Sequence, residues 1–123
     1  MELQRILIVD DDPSFQEMLW EYLVMLGFEV DKCGSAICAL SLLDQYRYRA
    51  VLSDIHMNEM NGIELVEKTK FKGNTTPFIL MTAFHRKDIA QKAKNLGVSA
   101  FFEKPFQLAS LYSALMNLNA TAQ

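Results

Sequence analysis

Cysteine is scarce in this sequence, and its placement matches neither a metal site nor a common redox motif. Cys33 and Cys38 are the only two cysteines, they form no C-x-x-C motif, and no histidine flanks them. This spacing indicates neither a zinc site nor a redox pair. Since disulfides are rare in the cytoplasm, we expect two reduced thiols in a cytoplasmic domain.

Long apolar runs and an excess of positive charge are also missing. No segment approaches the roughly 18 consecutive apolar residues that a transmembrane helix requires. Lysine and arginine together number 12 against 15 acidic residues, so the formal net charge is −3. No overall basic field would attract nucleic acid or an anionic membrane, and we expect the protein to bind neither directly.

Apolar residues, by contrast, are abundant enough for one buried core. Half of the 123 residues are hydrophobic and 22% are charged, which is typical of a folded globular chain. The length suits one domain and is too short for two well-packed cores. We therefore expect a single domain over residues 1–123, either complete or cut from a longer protein.

The apolar pattern alternates between buried-strand runs and helical periodicity along the whole chain. Strands are predicted at residues 3–9, 28–33, 50–53, 78–81 and 99–102. Helices are predicted at residues 13–26, 35–46, 64–71, 86–96 and 108–118. Because each parallel crossover needs a helix, this alternation predicts an α/β fold, a three-layer α/β/α sandwich around a parallel sheet.

Polar side chains follow four of the predicted strands, where sites form in open parallel sheets. Acidic residues 10–12 follow the first strand, Asp54 the third, Thr82 the fourth and Lys104 the fifth. Two carboxylates about 4 Å apart repel by roughly 4 kcal/mol at an effective dielectric constant of about 20, so the cluster needs a cation. Oxygen ligands of this kind favour Mg²⁺, with Mn²⁺ as an alternative.

Asp54, Thr82 and Lys104 together predict a phosphoryl-transfer site. A carboxylate can attack phosphorus while a metal ion and an ammonium group neutralise the phosphoryl oxygens. Asp54 is the expected nucleophile because it stands alone after the central strand. Asp12, which Pro13 follows, is predicted to begin the next helix and is therefore not counted among the expected metal ligands.

At these residues the chain resembles the receiver domains of two-component response regulators over its full length. Each matching segment is short, but five in order at strand ends are specific. The segments are residues 6–12, Asp54 with Met57, and residues 60–62, 81–83 and 104–106. The resemblance implies the chemotaxis-regulator-like, flavodoxin-like sheet order 2-1-3-4-5, and a chain that is complete or cut from a longer regulator or hybrid kinase.

The resemblance also implies roles for the acidic residues. Asp54 would be the phosphoacceptor, Asp11 a direct metal ligand, and Asp10 a second acidic ligand that acts directly or through water. The backbone carbonyl of His56 would be the third protein contact to the metal.

Further roles are implied around the fourth and fifth strands. Thr82 would hydrogen-bond the phosphoryl group, Lys104 would pair with it, and Phe101 would be the switch aromatic. The peptide bond between Lys104 and Pro105 would be cis. Two further aromatic side chains are candidate docking residues for a partner: Phe15 and Phe106.

The function implied is that of a signalling phosphoacceptor in a phosphorelay. The phosphoryl group would come from a phosphohistidine of a histidine kinase or histidine phosphotransfer protein, and the output would go to a downstream effector domain or protein. The chain would not be an enzyme acting on a separate substrate, because it would catalyse only its own phosphorylation and dephosphorylation. We expect a monomer or a weak dimer.

Two positions depart from the family pattern. Asn58 stands where the family usually has a proline, so the loop after Asp54 loses a residue that fixes φ. Ser99 and Ala100 stand where members that dimerise through helix four, strand five and helix five often carry two aspartates. That mode of dimerisation therefore loses support.

Three other functions fit parts of this pattern less well. A haloacid-dehalogenase-type phosphatase would use Asp10 as nucleophile and Asp12 as acid, but it should show a paired acidic motif later, where only Asp54 is found. A flavin-binding module would need a Gly-, Ser- or Thr-rich phosphate loop after the first strand. An interaction domain that keeps only the fold would not need the intact acidic, threonine and lysine set.

Overall fold

The computed structural model describes residues 4–84 and 86–121 and contains the ten predicted elements in the predicted order. The strands are β1 Arg5–Val9, β2 Glu29–Cys33, β3 Ala50–Asp54, β4 Phe78–Thr82 and β5 Ala100–Glu103. The helices are α1 Pro13–Met25, α2 Ala36–Gln45, α3 Gly62–Phe71, α4 Lys87–Asn95 and α5 Leu108–Thr121. Leu3, the predicted start of the first strand, lies outside the described residues.

The five strands form one parallel sheet in the order β2-β1-β3-β4-β5. This confirms the predicted α/β sandwich and its strand order. The strand order reverses direction between β1 and β3. The loops that follow the carboxyl ends of these two strands therefore line one crevice. β3 lies at the centre of the sheet, and all five of its residues are buried.

The two faces of the sheet carry separate apolar cores. Ile6 and Ile8 of β1 pack in a cluster with side chains of α1 and α5. Leu7 and Val9, which point to the other face, pack with α2, α3 and α4. This alternation follows from the two-residue period of a strand. No helix among the described residues is long and apolar enough to cross a membrane.

Side-chain caps fix where α1 and α3 begin. The Asp12 carboxylate accepts hydrogen bonds from the backbone N–H groups of Ser14 and Phe15, which confirms its predicted place at the start of α1. α3 begins two residues before its predicted start at Glu64. The reason is a capping box, in which the side chains of Asn61 and Glu64 each accept from the other's backbone N–H.

Candidate functional site

The carboxyl ends of four strands bring the predicted site residues to one edge of the sheet. Asp10 and Asp11 follow β1, and Asp54 is the last residue of β3. Thr82 ends β4, and its carbonyl accepts a 2.7 Å hydrogen bond from the Lys104 backbone N–H just after β5. Residues up to 94 positions apart in the chain thus share one crevice.

Three carboxylates of this edge form a cluster that could hold a metal ion. One oxygen each from Asp10, Asp11 and Asp54 lies within 4.8 Å of the others. Asp10 is 1% exposed and Asp54 is 6% exposed, while Asp11 is open to solvent. Because the donors are all oxygen and the cluster reaches the surface, it fits Mg²⁺ or Mn²⁺. Asp12 is engaged in its helix cap and stays outside the cluster.

Lys104 is the cation that joins two of these carboxylates. Its Nζ donates to Asp10 Oδ2 at 2.9 Å and lies 3.3 Å from Asp54 Oδ1. The ammonium also sits 3.9 Å from the ring centroid of Phe15, a position that a cation favours. Three carboxylates against one ammonium leave two negative charges on the cluster, the charge that one divalent cation would neutralise.

The electrostatics of Asp54 reflect this imbalance. Burial raises the pKa of its carboxyl, the Lys104 ammonium opposes that rise, and the charge of Asp10 adds to it. The net pKa lies above the usual value for an aspartate. The ionised carboxylate, which is the form that binds a cation or attacks phosphorus, is therefore destabilised at this position.

Backbone contacts hold Asp54 in place from behind. Ser53 donates its hydroxyl to the Asp54 carbonyl at 2.9 Å. Gly62, the first residue of α3, packs so closely that an added Cβ would lie 2.5 Å from the same carbonyl oxygen. Gly62 belongs to the motif read from the sequence, but the motif alone did not reveal that it packs against the Asp54 carbonyl.

The loop after Asp54 is shaped by a local turn. Glu59 has a φ of 67°, and the Met60 backbone N–H donates to the Asn58 carbonyl at 2.8 Å. The turn therefore forms with Asn58 in the place of the family's usual proline. His56 is exposed, and its ring meets the edge of Phe84 at a centroid distance of 5.0 Å. The metal contact of the His56 carbonyl stays a prediction.

The Thr82 hydroxyl is committed to the loop that follows β4. It is fully buried, donates to the Phe84 carbonyl at 3.0 Å and accepts from the Phe84 backbone N–H at 3.0 Å. Phe84 itself is 63% exposed. In this arrangement Thr82 shapes the loop and does not donate to the carboxylates.

The aromatic residues around β5 divide between the two faces of the sheet. Phe101 is half-buried against the core on the α2, α3 and α4 face. Phe106 stacks on Phe102 at 5.1 Å and meets the edge of Phe15 at 5.9 Å. The two predicted docking residues, Phe15 and Phe106, thus touch each other and are half-buried. The switch and docking roles stay predictions.

The backbone after β5 takes the predicted form, since the Lys104–Pro105 peptide bond is cis. Sequence reasoning missed Gln16 of α1, whose Nε2 donates to the carbonyls of Asp10 at 3.1 Å and Cys33 at 2.9 Å. Gln16 thereby ties the end of β1 to the end of β2. The only feature of the sequence that could have identified Gln16 is its position in the first turn of α1, close to the end of β1.

The two cysteines lie closer together in the structure than their spacing in the sequence indicates. Both are free thiols, but Cys33 Sγ and Cys38 Sγ lie 2.6 Å apart. The chain turns after β2 through Gly34 and Ser35, and the first turn of α2 then carries Cys38 back over the strand end. Spacing rules for C-x-x-C motifs do not cover this strand-to-helix turn.

Comparison with known proteins identifies one family. A family model described as the response regulator receiver domain matches residues 6–116. The regulatory protein AtoC of Escherichia coli is 36% identical over 109 residues, which are 89% of this chain and 24% of AtoC. Sporulation initiation phosphotransferase F of Bacillus subtilis is 30% identical over 112 residues, covering 91% of this chain and 90% of that protein.

A solved structure has the same fold. The response regulator TrrA of Thermotoga maritima, in complex with Mg²⁺ and BeF, superposes with a TM-score of 0.84 at 28% identity. The match covers 94% of this chain and 99% of TrrA. This chain thus spans about a quarter of the length of AtoC but nearly all of the two smaller proteins.

Proposed function

The chain belongs to the response regulator receiver domain family, and from that premise we propose that it accepts a phosphoryl group on Asp54 in a two-component phosphorelay. The donor is a phosphohistidine of a histidine kinase or a histidine phosphotransfer protein. The observation that carries the proposal is the placement of the buried Asp54 carboxylate beside Asp10, Asp11 and Lys104.

The residues of the site divide the chemistry of transfer among them. A carboxylate oxygen of Asp54 attacks phosphorus as the bond from phosphorus to the histidine nitrogen breaks. Asp10 and Asp11 would hold Mg²⁺ with Asp54, as the Mg²⁺ and BeF bound to TrrA support. The bound ion supplies positive charge that neutralises the phosphoryl oxygens. Lys104, now 3.3 Å from Asp54, is placed to pair with the transferred group.

The proposed chemistry ends at the chain's own aspartyl phosphate. Hydrolysis of the acyl phosphate on Asp54 transfers the phosphoryl group to water. The chain therefore acts on itself and is not an enzyme for a separate substrate. The phosphorylated state therefore serves as a signal with a finite lifetime.

The signal leaves the site through Thr82. To donate to a phosphoryl oxygen, its hydroxyl has to give up the 3.0 Å hydrogen bond to the Phe84 carbonyl. The loop that Thr82 shapes then changes, together with the edge contact between Phe84 and His56. Phe101, half-buried next to this region, repacks, and the surface formed by α4, β5 and α5 is remodelled for a partner.

The partners follow from the family and not from this chain alone. Receiver domains are phosphorylated by kinases and act on effectors. AtoC is about four times as long as the segment that matches this chain. We propose an effector domain or effector protein as the recipient of the remodelled surface, a cytoplasmic location, and a monomer or weak dimer as the resting state.

Intact-mass analysis tests the phosphoacceptor. After incubation with acetyl phosphate and Mg²⁺, the chain is expected to gain one phosphoryl group, and Asp54→Asn is expected to abolish the gain. Asp44→Asn is the matched control, because Asp44 is an exposed carboxylate paired with Lys72 and away from the site. A phosphoryl group that persists in Asp54→Asn, or turnover of a phosphate ester that depends on Asp10, would overturn the proposal in favour of the phosphatase alternative.

Amide NMR spectra test the switch. Beryllofluoride is expected to shift resonances across residues 83–106 in the wild type, and much less so in Thr82→Ala. The variant should still take up the phosphoryl group. If the two proteins show the same shifts, Thr82 does not couple the site to this surface.

A further inference from the structure

Cys33 and Cys38 form a sulfur pair that the phosphoryl chemistry does not use. Cys33 is the last residue of β2 and is 3% exposed, with its side chain in the core between the sheet and α2. Cys38 lies in the first turn of α2 and is exposed. Their sulfur atoms are 2.6 Å apart, so an accessible thiol and a buried thiol are already in contact.

We propose that Cys33 and Cys38 are an oxidisable dithiol that closes to an intramolecular disulfide when the exposed Cys38 meets a peroxide. This site goes beyond the proposed phosphoacceptor function and does not depend on it. No other cysteine in the chain can compete for the reaction within one molecule, because the sequence contains only these two.

The chemistry takes two balanced steps. The Cys38 sulfur attacks one oxygen of hydrogen peroxide, the O–O bond breaks, and the thiol becomes a sulfenic acid with release of one water. The Cys33 sulfur then attacks the Cys38 sulfur, the S–O bond breaks, and the hydroxyl leaves with the Cys33 proton as a second water. The two thiols lose two electrons in total, and one peroxide molecule takes them up.

Burial and exposure set the order of these steps. Burial raises the pKa of the Cys33 thiol, so Cys33 is a poor first target for an oxidant that reacts with thiolates. Cys38 is open to solvent and is attacked first. Since a disulfide bond is about 2.05 Å long, the sulfurs need to approach by only a fraction of their present separation.

The pair lies beside the acidic cluster without belonging to it. The Cys33 carbonyl accepts hydrogen bonds from the Asp10 backbone N–H at 3.0 Å and from Gln16 Nε2 at 2.9 Å. A disulfide would tie this strand end to the first turn of α2. The covalent link would join the core-facing side chain of Cys33 to the exposed side chain of Cys38, and neither residue is a member of the acidic cluster.

Peptide mass analysis after peroxide treatment tests the proposal on the full chain. Trypsin cleaves after Lys32 and Arg47, which leaves both cysteines in one peptide of residues 33–47. Treatment with peroxide followed by a thiol-alkylating reagent under denaturing conditions is expected to give this peptide without alkylation and lighter by two hydrogen atoms. Dithiothreitol should restore two alkylation sites.

Two variants separate the pair from a single reactive thiol. In Cys33→Ala the peroxide should stop at oxygen adducts of Cys38, with no loss of two hydrogen atoms. In Cys38→Ser, which changes only an exposed side chain, Cys33 should stay reduced in the folded protein. Two alkylated thiols in the treated wild type, a disulfide-linked dimer, or oxygen adducts on Cys38 in place of the disulfide would each overturn the proposal.

Discussion

The two ends of the parallel sheet carry charged side chains in contrasting arrangements. At the amino end, Arg5 donates to Glu29 at 2.9 Å and to Asp31 at 3.2 Å, and Tyr48 donates its hydroxyl to Asp31 at 2.6 Å. Two carboxylates there share the Arg5 guanidinium through separate N–H groups, and Asp31 has the Tyr48 hydroxyl as a further donor. At the carboxyl end, three carboxylates are clustered, and the single ammonium of Lys104 contacts two of them, Asp10 and Asp54.

The difference is between charges that stabilise the fold, at the amino end, and charges that destabilise it, at the carboxyl end. The hydrogen bonds and ion pairs of the amino-end network contribute to stability, and the exposed Glu29 pair contributes least. The carboxyl-end cluster keeps unneutralised negative charge, and that charge costs stability until a cation binds. Removal of one carboxylate charge should therefore lower the free energy of unfolding at the amino end and raise it at the carboxyl end.

The largest effect is expected where the backbone of α3 is packed against Asp54. Gly62→Ala places a Cβ 2.5 Å from the Asp54 carbonyl oxygen, and we expect it to lower the free energy of unfolding by about 3 kcal/mol, as for overpacking. Gly34→Ala is the matched control at the same end of the sheet, because no atom lies within 4 Å of its added Cβ. Urea denaturation of both variants measures the difference, and equal effects would show that the contact with Asp54 relaxes freely.

At the amino end, removal of one charge should weaken the fold. Asp31→Asn leaves Arg5 without this charged partner and weakens the acceptor for Tyr48, so we expect a loss of about 2 kcal/mol. Glu29→Gln, at a more exposed position, removes a surface pair and should cost less. Denaturation curves for the two variants test the ranking. An unchanged free energy in Asp31→Asn would mean that the network adds nothing.

At the carboxyl end, removal of one charge should strengthen the fold in the absence of metal. Asp54→Asn relieves the cost of burying a charge and the repulsion from Asp10, and we expect the free energy of unfolding to rise. Millimolar Mg²⁺ should stabilise the wild type and have a smaller effect on the variant, since a ligand is lost. Thermal melts with and without Mg²⁺ measure both. A wild type indifferent to Mg²⁺ would remove support for the metal site.

The smallest effect is expected at the amino end and appears only in alkali. Burial, with the hydrogen bond to Asp31, raises the pKa of Tyr48. The unfolded chain loses this proton near pH 10, at about the usual pKa of tyrosine, while the folded chain keeps it. The folded state then binds more protons, so stability is unaffected at pH 7 and falls as the pH rises above about 10.

Tyr48→Phe isolates this effect from the other tyrosines. The variant should lose part of the decline in stability between neutral and alkaline pH, measured by urea denaturation at a series of pH values. Tyr112→Phe is the control, because Tyr112 is 43% exposed and should leave the decline unchanged. The same decline in Tyr48→Phe as in the wild type would show that another group is responsible.

Local signals in the sequence were sufficient for the elements and for several of their ends. Asp12 and Pro13 marked the start of α1, and the structure shows the cap that they form. The start of α3 was predicted too late, although Asn61 and Glu64 stand three residues apart as a capping box requires. Apolar periodicity begins only after the cap, so a prediction based on periodicity places the start inside the helix.

The sequence by itself determined the alternation of strands and helices and the polar residues that follow each strand. These features depend on neighbours two to four positions apart, which set the strand and helix periods. Only the tertiary structure decided that Lys104 bridges Asp10 and Asp54, and that the Thr82 hydroxyl serves its own loop. It also decided that Cys33 and Cys38 touch. Such distances depend on how separate elements pack and which rotamers that packing allows, and no spacing along the chain encodes them.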